Sequence, residues 1–317
     1  MVDMTSSAEQ LPRRAIGSTG LTTMPVGVDG SVFGWAAGVE ATAEVLNEFT
    51  DAGGTLVSTA DHYSGGRSEV MIGTWLRSLL DRSRVLVATK VGRHPDNPGL
   101  SARALVRAAE ASLERLGTDY IDFLSFDGDH PETPADESLE AADRLIRAGK
   151  VRFLSASDYT GTRLREFRSV AEPAAYPRFE TALLEYNLMR REPAEGDVLP
   201  AARELGMGFF ARLPLANGFL TGVMRTRDTV PESVMFAAAA QHIGRRGTRI
   251  LAVLDEIAEQ HDTTPGAVAL AWVLSRPGVT AAIVRARDGE QLASLLPAAR
   301  LTLTRHDVRR LDEVSAA

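Results

Sequence analysis

The run Val85-Leu86-Val87-Ala88-Thr89-Lys90, the stretch from Ser101 to Leu116, and the run Tyr120-Ile121-Asp122-Phe123-Leu124-Ser125 form one strand–helix–strand unit, and that unit sets the reading of the rest. Both flanking runs are short and rich in apolar, β-branched and aromatic residues, as strands are. Between them Leu105, Ala109, Leu113 and Leu116 fall at four- and three-residue steps with Arg and Glu on the other face, the period of an amphipathic helix. Ser101 stands at the N-cap, where its hydroxyl can accept from a backbone N–H that the first turn leaves unpaired.

Worked outward in both directions, the same alternation persists. Further strands are expected at residues 24–28, 55–58, 151–155, 179–183, 208–212 and 281–284, which with 85–90 and 120–125 makes eight. Thr133-Pro134 followed by Ala-Asp-Glu opens another helix, its acidic residues placed where the helix dipole favours them. Eight alternating βα units imply a parallel sheet closed on itself, a (β/α)8 TIM barrel, and 317 residues suit one such domain of about 250 residues plus decorations. A short N-terminal hairpin is expected in residues 11–21, with Gly17 and Gly20, and a helical extension at the C-terminus. Residues 216–247, interrupted by Gly218, Gly222 and Pro231, read as a long loop over the barrel mouth. No linker or solenoid-length repeat divides the chain, so residues 1–317 are read as a single domain.

Composition narrows the partners. With 44% hydrophobic and 24% charged residues the chain has ordinary globular content, and its net charge of −7 argues against nucleic acid, whose phosphates require a basic face. A small-molecule substrate is the expectation. There is no cysteine, hence no disulfide framework and no thiolate ligand or nucleophile, which suits the cytoplasm. Met1 to Gln10 carry neither a basic nor an apolar leader segment, and no run of about 20 apolar residues occurs, so neither export nor membrane insertion is expected. Histidine spacing offers no metal motif. Oligomeric state is left open.

In a barrel of this kind the chemistry sits at the C-terminal ends of the strands. Lysine is used only twice, and Lys90 closes an otherwise apolar strand, where its charge is costly unless a partner or a task requires it; the structural alternative is a stem that snorkels to solvent. Tyr63 lies in the polar segment after the preceding strand and either packs there or meets Lys90. A phenol beside a buried ammonium is expected to have its pKa lowered and to serve in proton transfer.

Several segments together resemble the motifs of the aldo-keto reductases: Asp51-Ala-Gly-Gly-Thr-Leu-Val-Ser-Thr-Ala-Asp-His-Tyr63-Ser-Gly-Gly-Arg-Ser-Glu69, Ala88-Thr-Lys-Val-Gly92, Asp119-Tyr-Ile-Asp122, Ile146-Arg-Ala-Gly-Lys-Val-Arg152 and Glu185-Tyr-Asn-Leu188. They stand in the family's order over nearly the whole chain. The resemblance implies NADPH-dependent carbonyl reduction by an Asp-Tyr-Lys-His tetrad. Tyr63 and Lys90 match it, but Ser58 holds the Asp position and Asp127 the His position. A Lys90–Asp127 ion pair is expected to replace the missing one, with His62 or His130 as candidates to restore the imidazole.

The positions that hold the nicotinamide in the family are altered too. A Ser-Asn pair becomes Ser157-Asp158, a Gln becomes Leu183, and Arg212 stands where an aromatic ring often stacks. Arg285 replaces a common Gly; Arg287 matches an Arg that reaches the adenosine phosphate, and Gln291 lies in the adenine-side helix. The resemblance thus implies NADPH with weakened nicotinamide contacts. Two alternatives stay open: a cofactor-independent acid-base enzyme (isomerase, epimerase or dehydratase), and a non-catalytic binding protein. Phe33, Trp35 and the loop after Leu215 are expected either to shape an apolar substrate pocket or simply to pack.

Overall fold

A computed structural model describes residues 12–229 and 234–316. Eight parallel strands close into a barrel in the order β10-β3-β4-β5-β6-β7-β8-β9. They are β3 (Val26–Asp29), β4 (Leu56–Ala60), β5 (Leu86–Val91), β6 (Ile121–Asp127), β7 (Val151–Ser157), β8 (Phe179–Glu185), β9 (Gly208–Arg212) and β10 (Val279–Val284). All eight expected strands are present, but six of them (β3 to β8) run one to two residues beyond the expected C-terminal end, so several polar residues that read as loop are paired strand. Helices surround the barrel, among them α1 (Val39–Asp51), α2 (Arg67–Leu76), α3 (Ala102–Leu116), α4 (Ala135–Arg147), α5 (Gly161–Ala174) and α6 (Leu199–Glu204).

Ser101 caps α3 as expected, accepting from the Ala104 N–H at 3.4 Å. α4 opens after Thr133-Pro134 as expected, with Asp136 and Glu137 in its first turn; Pro134 is the N-cap and makes no side-chain cap bond, its fixed φ and missing donor suiting it to a helix entrance. The described parts of 216–247, residues 216–229 and 234–247, hold more helix than expected. They contain a 3₁₀ turn (Ala216–Thr221), the short α7 (Val234–Ala240) and the start of α8 (Arg245–Gln260). α9 (Pro265–Leu274), α10 (Gly289–Leu295) and α11 (Arg305–Ser315) complete the chain, the last being the expected C-terminal helical extension. Met1 to Leu11 and Pro231 lie outside the described residues.

The N-terminal hairpin, β1 (Arg14–Ala15) paired antiparallel with β2 (Thr22–Thr23), stoppers the barrel floor. Ile16, fully buried, joins Leu56, Leu86, Phe123 and Phe210 in the inner core. Gly17 has φ +50°, and a Cβ there would lie 2.4 Å from the Glu180 carbonyl oxygen, so the plug's closest approach to β8 requires glycine. Among the described residues no helix is long and apolar enough to cross a membrane.

Candidate active site

Strand alternation decides which side chains meet at the barrel mouth. Leu56, Leu86, Ala88, Phe123 and Phe210 face the axis, so by the two-residue period Ser58, Lys90, Asp127 and Arg212 face it too, higher up. β3 adds a member that sequence reasoning missed. A Cβ on Gly27 would lie 2.9 Å from Ile283 Cδ1 in that inner core, so Gly27 and, two residues on, Asp29 also point inward.

Lys90 is 3% exposed and donates to the Thr59 carbonyl at 2.8 Å. Its ammonium lies 4.5 Å from the centroid of the Tyr63 ring. Tyr63 is placed by the turn after β4, where Ser64 (φ 53°) and Gly65 (φ 64°) bend the chain back over the mouth. Burial works against the Lys90 charge, but Tyr63, Asp29 and Asp127, in that order, hold its pKa above the ordinary lysine value. The Tyr63 phenol is raised, contrary to expectation: burial and the Asp29 carboxylate disfavour the phenolate by more than Lys90 and Arg285 favour it. At neutral pH the pair is therefore a neutral phenol beside a charged ammonium, an acid ready to give its proton.

The expected Lys90–Asp127 ion pair does not form; among the described residues none joins them. Asp127 is committed elsewhere. Its Oδ1 accepts from the Ser157 hydroxyl at 3.1 Å and faces Arg93 Nε at 3.6 Å, while its Oδ2 faces His62 Nδ1 at 3.7 Å. His62 also lies 3.3 Å from Asp61 and meets the Tyr63 ring edge-on, with centroids 4.9 Å apart. An imidazole thus stands beside Tyr63. His130 instead turns to Glu132 at 3.3 Å.

Of the residues expected at a cofactor, Asp158 and Arg212 meet one another. Arg212 Nη2 donates to both oxygens of Asp158, at 2.7 and 2.9 Å, so the two changes answer one another. Asp158 has φ 60°, a left-handed conformation that Asn or Asp tolerates and most residues do not. Leu183 is buried in the inner core and its side chain offers no hydrogen bond. Arg285 donates to Asn217 Oδ1 at 3.1 Å and faces Asp29 at 3.6 Å. Beyond it opens a groove of about 300 Å³ whose lining includes Pro214, Asn217, Arg285, Arg287 and Gln291. The Gln291 side chain accepts from the Arg287 backbone N–H at 3.1 Å. Phe33 is fully buried core, not pocket lining, whereas Trp35 is 57% exposed.

Against known proteins, residues 31–316 match the model of the Aldo/keto reductase family. The chain belongs to the aldo/keto reductase family. Among its relatives is an uncharacterized oxidoreductase, YrpG, of Bacillus subtilis, 30% identical over 94% of this chain and 94% of that protein. A putative voltage-gated potassium channel subunit beta of Schizosaccharomyces pombe is 29% identical over 96% of this chain and 94% of its own length. The versiconal hemiacetal acetate reductase of Aspergillus parasiticus is 27% identical, covering 88% of each. Asp29 lies two residues before the matched span. The one signal for Asp29 was a carboxylate ending the apolar run Val26-Gly27-Val28.

Proposed function

We propose that this protein is an NADPH-dependent reductase of a small carbonyl substrate, with Tyr63 as the proton donor. The observation that carries this reading is the Tyr63 ring held 4.5 Å from the buried Lys90 ammonium at the mouth of the barrel, in surroundings that favour the protonated phenol. A hydroxyl in that state can deliver its proton to a carbonyl oxygen as negative charge develops there, and the ammonium then stabilises the phenolate left behind. His62, edge-on to Tyr63 and backed by Asp127, serves as the neighbouring imidazole that orients the substrate oxygen. Ser58 is too short and uncharged to act as counter-ion and is read as a spacer.

The residues present fit the dinucleotide unevenly. Arg285, Arg287 and Gln291 at the groove suit the phosphate-bearing adenosine end. At the amide end Leu183 gives nothing, yet Ser157 and Asp158 are still in place, and Arg212 carries a buried Nε–H without a partner that can donate to an amide oxygen. When bound, NADPH would supply hydride to the carbonyl carbon. Trp35, exposed in the segment after β3, is read as a substrate contact.

The Asp158–Arg212 pair, which uses hydrogen-bonding capacity at the amide end, favours one other reading: redox-neutral proton transfer by Tyr63, His62 and Asp127. Titrating the purified protein with NADPH by fluorescence, alongside NADH, separates the two. Micromolar binding that favours NADPH supports the reductase. Absence of binding up to millimolar nucleotide ends that proposal and leaves the redox-neutral one.

A further inference from the structure

We infer that Asp29 is the positioning carboxylate of this site: the negative partner that the reductase tetrad carries at the end of β4 has moved one strand over, to the end of β3. The inference deepens the reductase reading and rests on it for the word tetrad, but the placement itself is independent of any nucleotide.

Asp29 and Ser58 are directly paired residues on adjacent parallel strands. Neighbouring strands lie about 4.8 Å apart, so a carboxylate lost at one and gained at the other is displaced by one strand spacing along the same rim. Both side chains face the axis, and serine leaves the room that an aspartate at 58 would have filled. Asp29 is 1% exposed, and a carboxylate so buried needs partners. Its Oδ1 accepts from the Ser31 N–H at 2.9 Å, and its Oδ2 faces Arg285 Nε at 3.6 Å, a nitrogen that has no hydrogen-bond partner of its own. Arg285 stands where the family commonly has glycine, so the incoming carboxylate and the incoming guanidinium accompany one another.

Two carboxylates act on Lys90, Asp29 from β3 and Asp127 from β6, and the neutral Tyr63 phenol adjoins it from the turn after β4. Asp29 is itself faced by Arg285 beyond β10 and by Arg212 of β9. Among the described residues neither carboxylate is within ion-pair distance of Lys90; Asp127 is bound to Ser157 and shared between His62 and Arg93, while Asp29, in register with Ser58, acts on Lys90 across the mouth and ahead of Asp127.

The chain's lysine usage makes the test direct. Protein labelled with ¹³C-lysine has two side-chain signals, Lys90 and Lys150, and Lys150, paired with Glu110 at the surface, is the internal reference. Asp29→Asn keeps an oxygen for the Ser31 N–H and should lower the Lys90 titration midpoint by about one pH unit or more. Asp127→Asn should move it by less than half as much. Adding Ser58→Asp to Asp29→Asn should return Lys90 toward its wild-type midpoint, and that double variant decides the matter if the single one does not fold. An unmoved Lys90 in Asp29→Asn, a larger shift from Asp127→Asn, or a depressed Lys90 in the double variant would overturn the assignment. In turnover, Asp29→Asn should lower kcat for an aromatic aldehyde without changing its KM, and Ser58→Asp should recover it. The titrations are made without nucleotide, so a wild type that fails to bind NADPH ends the reductase reading and leaves the Asp29 result standing.

Discussion

Burial and Asp29 keep the Tyr63 phenol protonated well past neutrality, so the direction of the pH dependence follows. Reduction uses the protonated phenol: kcat/KM should stay level through neutral pH and fall only above the ordinary tyrosine value, while the reverse oxidation, which needs the phenolate, should rise there. A pH–rate profile in both directions checks this, and Tyr63→Phe should lower reduction at least about a hundredfold while leaving NADPH binding in place. A second prediction concerns the amide end. With Leu183 silent and Arg212 tied to Asp158, the nicotinamide adds little affinity, so NADP+ and 2′-phospho-ADP-ribose should bind within about tenfold of each other by calorimetry. A ratio well beyond that would show that Ser157, Asp158 and Arg212 hold the amide strongly after all. At this scale the sequence pointed to individual residues but not to the partners they meet. Ser58, Asp158, Arg212 and Arg285 each read as an isolated change, because the partners lie on strands far apart in the chain and meet only when the barrel closes.

The strands were legible from their apolar runs, yet their C-terminal ends were not. Asp127 and Ser157 sit inside β6 and β7, because residues that face the mouth can be polar while their backbone still pairs with a neighbour. The rule that polar runs are loops fails where a strand ends in a site. Motif residues also have structural work at this scale. Asp122, fully buried on β6, accepts from the Val87 N–H of β5 at 2.9 Å, from Arg82 at 3.0 Å and from Arg152 of β7 at 2.7 Å. One carboxylate thus ties three strands together on the side away from the chemistry. Asp122→Ala, which strands these donors, should destabilise the fold by about 3–5 kcal/mol in urea titration, with the Tyr63 pH profile of the folded fraction unchanged.

For the molecule as a whole, closure depends on the hairpin as much as on the eight strands. Ile16 fills the floor beneath Leu56, Leu86 and Phe123, and Ile16→Ala should cost about 2–5 kcal/mol, measured as a lower urea midpoint. The same stopper sets the traffic of the site. A cylinder sealed below has a single opening, and the basic groove runs across that opening from β9 to β10. If a dinucleotide lies along it, the carbonyl compound is the later arrival and its alcohol the earlier departure, because nothing can pass beneath. Turnover should then be compulsory-ordered, with oxidised and reduced nucleotide competing for the free protein and with the alcohol product inhibiting non-competitively against both substrates.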